Sequence, residues 1–125
     1  MVDDLMQMGP EELRIKDKDG NRLTFKGVNL SKVLEKAGAP TSARIRGENL
    51  AKYILIHAKD GYQAVFSLTE VDSSFTDAMV LLVFQEDGKP LPPGIGPFRL
   101  VVPHEKKQAR WVREVIEIEI KSANE

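Results

Sequence analysis

Trp111 is the single tryptophan of the chain, and Asp60-Gly61-Tyr62 carries one of its two tyrosines. Their rings can stack on a planar ligand, and each also has a plain structural reading. Trp111, beside an isoleucine-rich strand, reads as core. Tyr62 reads as the packed aromatic of a hairpin turn or as the rim of a pocket. His57 ends the apolar run Tyr53-Ile-Leu-Ile-His57 and reads as a packed or edge histidine. His104 lies far along the chain, and with no companion ligands the two histidines predict no metal site. The absence of cysteine excludes disulfides, zinc-thiolate sites and thiol nucleophiles. There is no Gly-x-Ser-x-Gly, no Gly-x-x-x-x-Gly-Lys and no Gly-x-Gly-x-x-Gly, and Gly94-Ile-Gly96 is closed by Pro97. Arg44-Ile-Arg46 is basic without interleaved aromatics, so no nucleic-acid partner is expected. Carboxylates are plentiful, but nothing in the sequence pairs two of them in a cleft.

The chain that must position these groups has 125 residues, the length of one domain. Hydrophobic residues make up 42% and charged residues 30%, a balance that supports a folded core rather than disorder. The net charge of −1 does not favour anionic membranes or nucleic acid. No run approaches the ~18 apolar residues of a membrane helix, so no membrane insertion is expected. Met1-Val-Asp-Asp4 is acidic and lacks the apolar core of a secretory signal.

Residues 1–10 show no periodicity and are expected to be a flexible lead-in, with one domain over 11–125. Leu13 and Ile15, then Leu23 and Phe25, alternate with polar residues around the turn formers Asp17-Lys-Asp-Gly-Asn21, which predicts a hairpin. Asn29 can cap a helix whose Leu30, Val33, Leu34 and Ala37 share one face. Gly38 then ends it and Pro40 prevents continuation. Residues 41–49 are expected to form a loop. A central strand is predicted over residues 51–58, with an antiparallel return over 62–68 after Asp60-Gly61. Ser67-Leu-Thr-Glu70 fits a capping box for a short helix through about Phe75. Residues 79–84 and 98–102 are apolar strands separated by the Glu86-Asp-Gly-Lys89 turn and the Pro/Gly-rich stretch 91–97. Residues 105–110 are one helical turn or an irregular loop. Ile116, Ile118 and Ile120 alternate with Glu117, Glu119 and Lys121, which predicts a final strand with one dry face. The sum is an α+β domain of mostly antiparallel strands with two short helices.

Several segments follow one another in a specific order and spacing: Lys26-Gly-Val-Asn-Leu-Ser-Lys-Val-Leu-Glu-Lys-Ala-Gly38, Lys59-Asp-Gly-Tyr62, Asp87-Gly-Lys-Pro-Leu91, Gly96-Pro-Phe-Arg-Leu-Val-Val-Pro103 and Arg110-Trp-Val112. From about Gly27 onward the chain resembles the oxidoreductase molybdopterin-binding domain of the sulfite oxidase type, in its small stand-alone form. The resemblance implies that α+β fold. It also implies a molybdenum-ligating cysteine early in the domain. The corresponding region here is the short turn Asp17-Lys-Asp-Gly-Asn21, which has none.

By the family pattern, the segment after Pro103 supplies groups for a pterin phosphate, here His104, Lys107 and Arg110, with Arg99 a further candidate. Lys107 and Arg110 lie three apart, on one side of a helical turn if one forms. The plainer reading makes Glu105-Lys-Lys107 a solvated turn and Arg110 a surface ion-pair partner. No catalytic residue is expected. The first functional expectation is a non-catalytic module that binds a small anionic or pterin-like ligand, or a protein partner. The alternatives are a molybdopterin-dependent oxidoreductase or a subunit of one, and a structural docking domain for an electron-transfer partner. Molybdopterin is thus a cofactor by resemblance alone. Small relatives of this kind are commonly exported in bacteria, which implies a periplasmic or exported protein in mature or trimmed form.

Overall fold

A computed structural model describes residues 2–16 and 19–123. It is an α+β fold of mostly antiparallel strands, as the patterning predicts, and the strands form two sheets accompanied by two helices. The elements run α1 (Val2–Met6), β1 (Glu11–Lys16), β2 (Arg22–Asn29), α2 (Leu30–Lys36), β3 (Lys52–Ala58), β4 (Gln63–Ser67), β5 (Leu81–Glu86), β6 (Lys89–Pro90), β7 (Arg99–Val101) and β8 (Val115–Ser122).

The first sheet has the order β1-β2-β5-β6, and β7 also pairs with β5. β1 and β2 form the expected hairpin, in register from Glu11 opposite Gly27 to Lys16 opposite Arg22. Asp17 and Lys18 of its turn lie outside the described residues. A register shift between Lys26 and Gly27 interrupts the pairing of β2 with β5. Gly27 is needed at that point. A Cβ there would sit 2.5 Å from the Leu82 carbonyl oxygen and 2.8 Å from the Val83 Cα, too close for any side chain. The loop after β6 leaves the edge of β5 and returns to it as β7, so the Pro/Gly-rich stretch is an excursion from one strand edge.

The second sheet has the order β4-β3-β8, with β3 central. Ile54, Ile56 and Ala58 of β3 and Ala64 and Phe66 of β4 point into the core. They pack in one cluster with Phe25, Val28, Leu30, Leu34, the run Val80–Phe84, the run Leu100–Val102, Trp111 and Val112. The segment before β8 joins the sheets: Leu100 N donates to Val112 O at 2.9 Å, and Val115 N donates to Phe98 O at 2.9 Å.

Helix α2 forms for the predicted reasons. Asn29 Oδ1 accepts from Ser31 N at 3.1 Å, Leu30 and Leu34 are buried, and Gly38 takes the left-handed conformation at φ +86°. The helix stops one residue earlier than its apolar stripe, so Ala37 is exposed and Ala39 fills the core instead.

Within the lead-in, Val2–Met6 is helical and Leu5 is buried at 6% exposure. Five residues are too few to show a helical period, but one apolar side chain packs them against the core. Two other expectations are corrected. The helix expected after Ser67 is a single 3-10 turn, Thr69–Val71. Its capping box forms: Glu70 Oε1 accepts from Ser67 N at 2.8 Å, and Ser67 Oγ accepts from Glu70 N at 3.2 Å. Asp72 then turns extended, and its carboxylate accepts from Ser42 N and Ser74 N, each at 2.9 Å, which draws the backbone out of the helical path. Finally, Ile116 is 66% exposed rather than on the dry face. β8 pairs Glu117 with His57 but Val115 with Ala58, so Ile116 is the extra residue of a bulge and faces water.

Candidate functional site around Trp111

The backbone turns sharply through residues 103–110 before entering the bridge between the sheets. These residues are turns and bends, and no helical turn aligns Lys107 with Arg110. Trp111 follows, buried at 8% exposure, which bears out its reading as core. Its Nε1 donates to Val102 O at 3.1 Å, and its ring meets Phe25 edge-on at a centroid distance of 6.1 Å. These contacts fix the indole plane.

Two clefts share Trp111 and Gln108. One, of about 230 Å³, is lined by Asp60, Tyr62, Ala109, Val112 and Arg113 besides the shared pair. The other, of about 280 Å³, lies over the β1–β2 hairpin, where Ile15, Leu23 and Phe25 form the apolar part and Asp19, Glu86 and Arg99 the charged part.

Arg99 comes to the second cleft from β7, opposite Val83. Its guanidinium stands 5.5 Å from the centre of the Trp111 ring, and its Nη2 donates to Trp111 O at 3.3 Å. The residue is 9% exposed, and its Nε has no hydrogen-bond partner among the described residues. Burial and then the nearby charge of Arg113 hold the Arg99 pKa below its ordinary value, with Glu86 acting the other way. An arginine remains charged through any such shift. Arg99 therefore sets a permanent cation beside an aromatic ring in the cleft wall, with its unpartnered Nε itself buried.

Tyr62 is not the packed aromatic of its turn but lies at a rim. Asp60 Oδ1 accepts from Tyr62 N at 3.0 Å, which closes the turn, while the ring is 48% exposed at the rim of the first cleft. Its hydroxyl donates to Ala109 O at 2.5 Å and so ties the β3–β4 turn to the segment before Trp111.

The other expected cations are placed differently. Arg110 turns away onto the second sheet, 4.0 Å from the centre of the Phe66 ring. Its Nη1 donates to Val65 O at 2.7 Å, its Nη2 to Glu70 Oε2 at 2.9 Å and Glu105 Oε2 at 2.5 Å, and its Nε to Glu105 Oε1 at 3.2 Å. The Glu105 hydrogen bonds, with those to Glu70, raise its pKa further despite partial burial. Arg110 is an ion-pair strut, committed to protein carboxylates rather than to a ligand. His104 and Lys107 are exposed, and neither lines either cleft. His57 is not at an edge but in the central strand β3, with its side chain 22% exposed and its Nε2 2.7 Å from Glu119 Oε1.

Of the four expected site residues, the structure brings Arg99 alone to either of these two clefts. Gln108 and Arg113 were missed. Arg113 had one available signal: it lies two positions after Trp111, and alternate residues of extended chain share a side. Gln108 had none, because its place depends on the irregular turns of residues 103–110.

No curated protein and no solved structure matches the chain significantly. The family model of the oxidoreductase molybdopterin-binding domain matches residues 4–125, nearly the whole chain. With the two-sheet α+β architecture in accord, the chain belongs to the oxidoreductase molybdopterin-binding domain family.

Proposed function

We propose that this chain is a non-catalytic binding module on the molybdopterin-binding scaffold, and that its ligand is a small planar anion held beside Trp111. The observation that carries the reading is Arg99, a buried guanidinium with an unpartnered Nε against the indole ring. A buried donor without a partner costs stability, and an acceptor that reached it through an adjustment of the Arg99 side chain would recover that cost. Arg113, on the adjoining cleft, supplies a second positive charge for a phosphate or carboxylate.

The donor set does not fit molybdenum. The metal in this family is held through a protein thiolate, and the chain has no cysteine. The two clefts offer oxygen and nitrogen donors only, a poor match for a centre that takes soft sulfur ligands. The reading therefore assigns the clefts to an organic anion and no redox step to this chain.

The test uses protein made in a host that synthesises molybdopterin. Elemental analysis should find molybdenum far below stoichiometric. About one atom per chain, stable to dialysis, would overturn the reading. Trp111 then serves as the sole indole reporter for titration with a pterin phosphate. Saturable quenching that weakens with salt is expected. Arg113→Ala should lose about tenfold in affinity, within the range for a hydrogen bond to a charged group. A flat titration, or equal affinity in Arg113→Ala and Arg99→Met, would refute it.

A further inference from the structure

The outer face of the second sheet carries a separate constellation. The register of β3 with β8 sets His57 directly opposite Glu117, and Glu119 lies two residues along the same face. His57 Nε2 stands 2.7 Å from Glu119 Oε1 and 3.6 Å from Glu117 Oε1, and donor atoms of all three residues lie within 4.8 Å of one another. On the other side of β3, Gln63 pairs with His57, and its Nε2 is 3.1 Å from His57 Nδ1.

We propose that His57, Glu117 and Glu119 form a divalent-cation site of the zinc class. Zinc bonds to nitrogen and oxygen of about 2.0–2.1 Å in a tetrahedron place donors about 3.3 Å apart. The Glu117 separation is close to that already. The Glu119 separation is a hydrogen bond, and it opens by about half an ångström when a metal replaces the shared proton. The carboxylates are 62% and 42% exposed, so their side chains are free to make that adjustment, while paired strands hold the backbone.

Gln63 fits the role of orienting partner. An amide nitrogen facing Nδ1 makes that atom the acceptor and assigns the ring proton to Nε2. Oxygen and nitrogen of an amide exchange by a simple flip. With Oε1 turned to the ring, Nδ1–H donates to Gln63 and the Nε2 lone pair is released for a metal. One imidazole and two carboxylates suit zinc better than magnesium or calcium, which prefer all-oxygen sites, and zinc stands above manganese in affinity for such donors. Three protein ligands on an exposed face leave a fourth position for water. Two carboxylates on one face of a strand also repel each other, and a cation between them removes that repulsion.

The test is titration of EDTA-dialysed, tag-free protein with zinc chloride by calorimetry, with cobalt absorption as a second readout. One equivalent should bind in the micromolar range. His57→Ala and the double variant Glu117→Gln/Glu119→Gln should each weaken binding at least tenfold. Circular dichroism without metal checks that each variant is folded, and the double variant, changed at one exposed and one half-buried position, serves if His57→Ala is not. Failure to bind at 100-fold excess zinc, or folded variants that bind as tightly as the parent, would overturn the proposal.

Discussion

Replacing Arg110 with Ala should cost about 2–4 kcal/mol of stability. The side chain is three-quarters covered, so its contacts are worth more than those of a free surface pair but less than those of a buried one. Its pairs with Glu70 and with the two oxygens of Glu105 fall at the upper end of the exposed range, about 0.5–1 kcal/mol each. The hydrogen bond to Val65 O adds about 0.5–1.5 kcal/mol, and the contact with the Phe66 ring about 0.5–1 kcal/mol.

The pH dependence has a definite sign. Burial tends to raise the pKa of Glu70, but hydrogen bonds from Arg110 and Ser67 outweigh it and hold the folded-state value below 4.5. A depressed acid contributes stability that is present above the unfolded pKa and is lost as pH falls through the folded one. The parent should therefore lose this contribution below about pH 4.5, whereas Arg110→Ala should lose much less over the same range. Urea unfolding at pH 7 and at points down to pH 3 measures both effects. A loss under about 0.5 kcal/mol at pH 7, well below the sum of the surface-pair values, would show that the strut is ordinary surface. An unchanged acid profile in the variant would refute the assignment of Glu70.

The remaining predictions concern the core. Leu34→Ala should cost about 2–5 kcal/mol in urea unfolding, because Leu34 is 3% exposed on the buried stripe of α2. A loss near zero would contradict that packing. Gly27→Ala should destabilise by at least about 1–3 kcal/mol, because the added Cβ meets backbone of β5 that cannot rotate aside. A thermal melt matching the parent would show that the β2–β5 contact is looser than described.

What could be read along the chain acts over a few residues. Asn29 caps α2 because its carboxamide reaches an amide two positions on, and Gly38 ends that helix because φ +86° suits a residue without Cβ. The alternation in β1, β2 and β4, the capping box at Ser67 and the family pattern from Gly27 onward are of the same kind. The cleft is not. Trp111 and Arg99 are twelve positions apart in sequence, and their contact depends on how the bridge between the sheets closes. Arg110 reads as a candidate anion binder until Glu70, forty positions away, comes beside it across the second sheet. The alternation of β8 predicts Ile116 inside, yet a one-residue bulge just beyond the Glu117–His57 pair sends it outward. Side-chain direction in a strand reverses with every residue, so a single extra residue in the pairing changes which groups meet. That pairing is settled by the packing of the whole core, which no local stretch of the chain contains.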